Sequence, residues 1–198
     1  MTSTKKEAIK KWLSNKENWL IVAVILFALI LRLYYFSLTN DQPLWWDEAE
    51  YMLKAKNIAL GTPETGWAQA LRPILFPVIA APFFFLGLGE IPLRFLFVIL
   101  SVIGIVFTYL TGTILFNKRT GVVAAFIMSI FYIDIFYTTR LLVDIPQIFF
   151  VNMALFLFVK HAFAGGSKKL IWAILPIIAI GTQMRFTVAL FAIILFLF

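Results

Sequence analysis

Residues 19–38 form an unbroken apolar run with Arg32 as its only formal charge, and comparable runs follow at 92–116, 121–137, 145–159 and from 170 onward. A bilayer-spanning helix needs about 20 mostly apolar residues. Within hydrocarbon, every backbone N–H and C=O must be satisfied internally, so such segments form helices. The recurrence therefore points to an all-α polytopic membrane protein. Composition agrees: 62% of the 198 residues are hydrophobic, with 22 Phe, against roughly 45–50% in soluble domains. The basic stretch before the first run, MTSTKKEAIKKWLSNKENW, resembles the start of a signal peptide. No small-residue cleavage site follows, so the first run reads as a retained span.

Charge sets the orientation. Lys5, Lys6, Lys10, Lys11 and Lys16 place the N-terminus in the cytoplasm, and the basic loops 117–119 and 160–169 belong on the same side. Segment 73–88 tests this scheme, because counting it as a span would move loop 117–119 outward. It is short for a span and carries Pro73, Pro77 and Pro82, which interrupt helices. It reads as interfacial or re-entrant, and all the basic loops then lie inside. The outer side receives a long first loop, 39–91, and short turns near 140–144 and 183–185. Asp41, Asp47, Glu48, Glu50, Glu64, Glu90 and Asp144 gather there. The expected organisation is a cytoplasmic basic N-terminus, 1–18, and a transmembrane module, 19–198. The last module residues, FAIILFLF, lie inside an apolar run, from which further spans beyond Phe198 are expected.

Several functions are disfavoured. The absence of cysteine removes disulfides and thiolate metal sites. The single histidine, His161, lies in a basic loop, which argues against a His-rich metal site or a Ser-His-Asp triad. The net charge of +7 comes from lysines flanking apolar segments, so membrane topology explains it and nucleic acid is not an expected partner.

Chemistry concentrates in Pro43-Leu-Trp-Trp-Asp47-Glu48-Ala-Glu50-Tyr51. Trp45 and Trp46 suit the headgroup level. From Asp47 to Leu60 the pattern is an amphipathic surface helix, with Asp47, Glu50, Lys54 and Asn57 as a polar stripe and Trp46, Ala49, Leu53 and Leu60 opposite. Asp47 with Glu50 three residues on also has the form of a capping box, and a capping role can coexist with a catalytic one. Arg32 reads either as a snorkelling cation or as a partner for a lipid phosphate. Arg72 precedes Pro73 and could meet a phosphate or an acidic partner. Arg94 either pairs with Glu90 or faces a ligand. Arg140 and Asp144 stand at a spacing that permits a simple ion pair, and Asp144 before Ile145-Pro146 is a plausible helix cap. Asp134 reads as a hydrogen-bonding partner for another helix. Gln183 and Arg185 interrupt the last run, which needs burial or a wet cavity at that point.

A single span, an outer Trp-Trp-Asp-Glu helix, Arg72-Pro73, Pro92-Leu93-Arg94 and Arg140-Leu-Leu-Val-Asp144 follow one another. This order resembles glycosyltransferase superfamily C, closest to the protein O-mannosyltransferases and the lipid A aminoarabinose transferases, over residues 19–190. The resemblance implies a module of membrane helices with juxtamembrane helices in the first outer loop. It implies transfer of a sugar from a polyprenyl-phosphate carrier to a protein, lipid or glycan acceptor outside the cytoplasm, with inversion. It assigns catalysis to Asp47, with Glu48 beside it and Asp144 as the second acidic position, and places Arg94 and Arg140 near the site. Relatives often carry a basic or histidine residue and two prolines where this chain has Arg72-Pro73.

In physical terms, Arg94, Arg140, Arg185 and Arg72 are the candidate donor-phosphate ligands, and Asp47 the base on the acceptor hydroxyl. A divalent cation, Mg or Mn, bridging Asp47, Asp144 and the phosphate is an open option. The competing readings are a lipid or solute transporter or flippase, which would explain the membrane charges and the broken last segment, and a non-catalytic membrane subunit.

Overall fold

The computed structural model describes residues 7, 10, 14–63 and 72–196. Lys5, Lys6, Lys11 and Glu64, used above to assign sides, lie outside the described residues. The described structure is helical throughout, with no strand: α1 (Lys16–Thr39), α2 (Trp46–Leu60), α3 (Leu75–Phe85), α4 (Ile91–Leu115), α5 (Lys118–Ile130), α6 (Tyr132–Tyr137), α7 (Asp144–Phe163), α8 (Lys169–Met184) and α9 (Val188–Phe196). Among the described residues, three helices are long and apolar enough to cross a membrane, in α1, α4 and α7. The proline-rich α3 has 11 residues, or about 16 Å of helix, roughly half a hydrocarbon core. It lies against α2 instead, with Tyr51 and Phe76 in edge-to-face contact at 5.5 Å.

Small residues let the long helices approach. Ala28 of α1 and Ala125 of α5 are fully buried in one cluster with Ile21 and Ile105. At the α4–α5 hairpin, a Cβ on Gly121 would stand 2.6 Å from the Tyr109 carbonyl, so only glycine permits this backbone contact. A second cluster joins α2, α3, α4, α7 and α8 through Met52, Phe76, Phe97, Leu141, Ile145 and Met184. This cluster supports the site.

Region 121–137, read above as one span, is divided. Helix α5 ends at Ile130, Phe131 is extended at φ −67° and ψ 106°, and α6 follows. Arg32 explains the break. Its guanidinium is completely buried and donates to the carbonyls of Ser129 and Met128 at 3.1 and 3.3 Å, at a helix end where carbonyls run short of backbone donors and the Met128 oxygen has only the long Phe131 N–H bond besides. The same guanidinium pairs with Asp134 at 2.6 Å, and Ser101 bonds to both residues at 2.7 and 2.5 Å. Arg32 thus neither snorkels nor faces a lipid phosphate. It ties α1, α4, α5 and α6 together.

The surface helix α2 also differs in register from its sequence reading. Its N-cap is Trp45, whose N–H donates to the Glu48 carboxylate at 2.6 Å, so Glu48, and not Glu50, reaches back to the helix start. Lys54, placed above on the polar stripe, is buried. Trp46, Leu53 and Leu60 are exposed at 83%, 46% and 72%. An outward apolar face on a short juxtamembrane helix suits the bilayer interface. Gly61 ends α2 at φ 67°, a left-handed cap that glycine adopts without strain.

Candidate active site

Two carboxylates far apart in sequence reach one cavity of about 490 Å³. Asp47 comes from the first turn of α2 and Asp144 opens α7. Both therefore stand at the N-terminal, positive end of a helix. Each carries a guanidinium. Arg72 donates to Asp47 at 3.0 Å, and its Nε stands 2.8 Å from a Glu50 oxygen, close enough for charge attraction though not aligned as a hydrogen bond. Arg185 donates to Asp144. All four line the cavity, with Tyr51, Tyr137, Phe186 and Thr187 around them. The pairs are partly open: Asp47 is 56% exposed, Asp144 34% and Arg185 41%. The hydrogen bond to Asp47 pushes the Arg72 pKa up, against partial burial, which acts the other way. Arg72 therefore remains cationic at any physiological pH.

The placement of Arg185 depends on a break between two helices. Helix α8 stops at Met184, Arg185 is extended at φ −153° and ψ 127°, and α9 starts at Val188. The interruption expected near 181–185 thus delivers a cation to the cavity wall. Residues 138–143 are likewise not helical. The i, i+4 geometry proposed for Arg140 and Asp144 therefore does not arise, and each takes a partner from another element.

The neighbouring acid, Glu48, has a different environment from Asp47. It is fully buried. One oxygen accepts the Leu141 N–H at 2.6 Å. The other accepts the Trp45 N–H at 2.6 Å and the Arg140 guanidinium at 3.3 Å. Arg140, also buried, stacks over the Trp45 ring at 3.9 Å and donates to the Pro43 carbonyl at 3.2 Å. Arg94 is 1% exposed. It donates to the carbonyls of Thr139 and Gln42, and Glu90 stands 3.9 Å away. Glu48, Arg140 and Arg94 therefore clip the 138–143 turn to the start of α2 and α4, and none of them lines the cavity. Of the arginines singled out from the sequence, only Arg72 and Arg185 reach it.

Sequence reasoning passed over Tyr51, Tyr137, Phe186 and Thr187 as site residues. Tyr51 carried a signal, since it lies four residues after Asp47 and so on the same helix face. Phe186 and Thr187 adjoin the break at Arg185. Tyr137 carried none.

The donors present fit a metal poorly. Asp47 and Asp144 each already hold a guanidinium. Among the described residues, no group of three or more His, Cys, Asp or Glu side chains could hold an ion. A cation at this site would have to displace those guanidiniums and draw its remaining oxygens from water and the donor phosphate.

The cavity brings together an open carboxylate, two cations and aromatic side chains at the end of a membrane bundle. No curated protein and no solved structure matches the chain. A family model described as dolichyl-phosphate-mannose-protein mannosyltransferase matches residues 71–198, a stretch that includes Arg72, Asp144 and Arg185 and begins after Asp47. The chain thus belongs to the dolichyl-phosphate-mannose-protein mannosyltransferase family, membrane glycosyltransferases of superfamily C that draw on polyprenyl-phosphate-linked sugars.

Proposed function

We propose that residues 19–198 form a transfer module moving a sugar from a polyprenyl phosphate to an acceptor hydroxyl on the extracytoplasmic side, with inversion at the anomeric carbon. The observation that carries this reading is the meeting of Asp47–Arg72 and Asp144–Arg185 in one cavity. The lysine-rich N-terminus and basic loops support the sidedness.

Asp47 gives one oxygen to Arg72, and its other oxygen serves as the base. As the acceptor oxygen bonds to the anomeric carbon, its proton passes to Asp47, and the bond from that carbon to the phosphate oxygen breaks. Attack from the face opposite the phosphate inverts the centre. The departing polyprenyl phosphate keeps the bonding electrons, and Arg185 and Arg72 stabilise its charge. Arg185 uses one terminal nitrogen on Asp144, so a guanidinium with five N–H donors retains several for phosphate. Asp144 orients Arg185 and adds negative potential beside the oxocarbenium-like transition state. Glu48, Arg140 and Arg94 position the turn and helix that carry these groups.

Asp47→Asn in the full-length protein tests the assignment. The variant retains an oxygen to accept from Arg72 but has no basic carboxylate. Transfer from a polyprenyl-phosphate sugar should fall by about 10²–10⁴-fold, with membrane insertion unchanged. Wild-type turnover in this variant would remove the base from Asp47. The anomeric configuration of the product, read by NMR against that of the donor, tests inversion separately.

A further inference from the structure

We propose that a second cavity, of about 460 Å³, holds the headgroup of a zwitterionic phospholipid, its phosphate toward Lys56 and Arg94 and its ammonium toward Asp41 and Glu90. This goes beyond the transferase reading and does not depend on it. The two cavities share no lining residue.

Position is the first argument. The cavity lies where α1 has just ended at Thr39 and α4 begins at Ile91. Two spanning helices finish here, so the opening stands at the level of lipid headgroups. Its apolar lining is open: Leu88 and Ile91 are 54% and 53% exposed, and Phe85 and Leu86, next in sequence to lining residues, are more so. Such side chains belong against acyl chains.

Charge is the second argument. The Lys56 ammonium sits over the Phe84 ring at 5.1 Å, which holds it at the cavity wall. Behind it, the buried Arg94 cation rests on two carbonyls, with its nearest carboxylate 3.9 Å away and its Nε without a partner. Glu48, Glu90 and Asp41 all act on its charge, so what the site leaves open is the buried Nε donor, which a phosphate oxygen would satisfy. Asp41 and Glu90 line the same space. Two cations and two carboxylates match a phosphate joined to an ammonium and match a simple monoanion poorly. The loop between α3 and α4 turns through Gly87 and Gly89 at φ 71° and 69°, with nothing within 4 Å of where a Cβ would stand, so it leaves the mouth open.

The test is native mass spectrometry of the full-length protein, delipidated and then exposed to equal amounts of phosphatidylethanolamine, phosphatidylglycerol and a polyprenyl phosphate. Preferential retention of phosphatidylethanolamine is expected. Lys56→Gln and Asp41→Asn, both at exposed positions, should each lower that retention about tenfold through loss of one charge-assisted contact. Asp47→Asn should retain the lipid like wild type, so failure of the transferase reading would leave this result intact. Equal retention of phosphatidylglycerol, or wild-type retention in Lys56→Gln, would overturn the site. Lys56-dependent retention of the polyprenyl phosphate instead would reassign it to the donor. Equal binding of soluble glycerophosphoethanolamine would rule out the bilayer as the source.

Discussion

Arg32–Asp134 and Arg185–Asp144 are the same chemical pair in two settings. The first has side-chain exposures of 0% and 3%, the second 41% and 34%. Around the first pair, Ser101 and the carbonyls of Ala28, Met128 and Ser129 use the remaining bonding capacity. The second pair borders open space. A buried charge with every bond made holds a fold together, and removing its partner is costly. A half-exposed pair at a cavity contributes little to stability and can exchange its partner for a ligand. The adjacent acids Glu48 and Asp47 repeat the contrast one residue apart: Glu48 is sealed by three donors, and Asp47 is 56% exposed.

The contrast can be broken most severely at the buried pair. Arg32→Met strands Asp134 without its cation and should destabilise the protein by about 3–5 kcal/mol. Thermal unfolding of the full-length protein in nanodiscs reads this, and Arg32→Met/Asp134→Leu should recover most of the loss. A neutral single variant would show that depth does not separate the two pairs. Glu48→Gln comes next. It should cost about 2–3 kcal/mol by weakening the acceptor for Arg140 and two backbone N–H groups. Turnover should fall because Asp47 is no longer held opposite Asp144, and a rate at wild-type level alongside lowered stability would uncouple the clip from the site.

At the open pair the signature should reverse. Arg185→Lys keeps the charge but loses the planar fork, so the KM for the lipid-linked donor should rise about tenfold. Unfolding should shift by no more than about 1 kcal/mol. A large stability loss there would make Arg185 a second structural clasp. The smallest effect is expected at Glu50, whose pairing with Arg72 is peripheral. Glu50→Gln should change stability by less than about 0.5 kcal/mol, measured in the same unfolding assay.

Apolar run length made the all-α membrane class legible from the residues, and the prolines of 73–88 marked a segment whose helix is only 11 residues long. The Asp47 and Asp144 neighbourhoods were also legible, since each is a carboxylate beside an apolar run at a turn. The roles of the arginines were not. Arg72, Arg94, Arg140 and Arg185 all stand at span ends in the sequence, yet Arg72 and Arg185 line the carboxylate cavity, Arg140 is buried away from it and Arg94 borders the other cavity. The exchange of partners between Arg140 and Asp144 was equally hidden, because residues 138–143 do not continue a helix.

Hydropathy and lysine placement act over spans of about 20 residues and report local solvent preference, so the sequence alone determined that this chain lives in a membrane as helices. Whether a given charge braces the bundle or faces a ligand depends on partners 25 to 102 residues away and on how much water remains beside them. Coulombic and hydrogen-bonding energies depend on distance in space and on dielectric, so only the tertiary structure decided which of these charges are free to do chemistry.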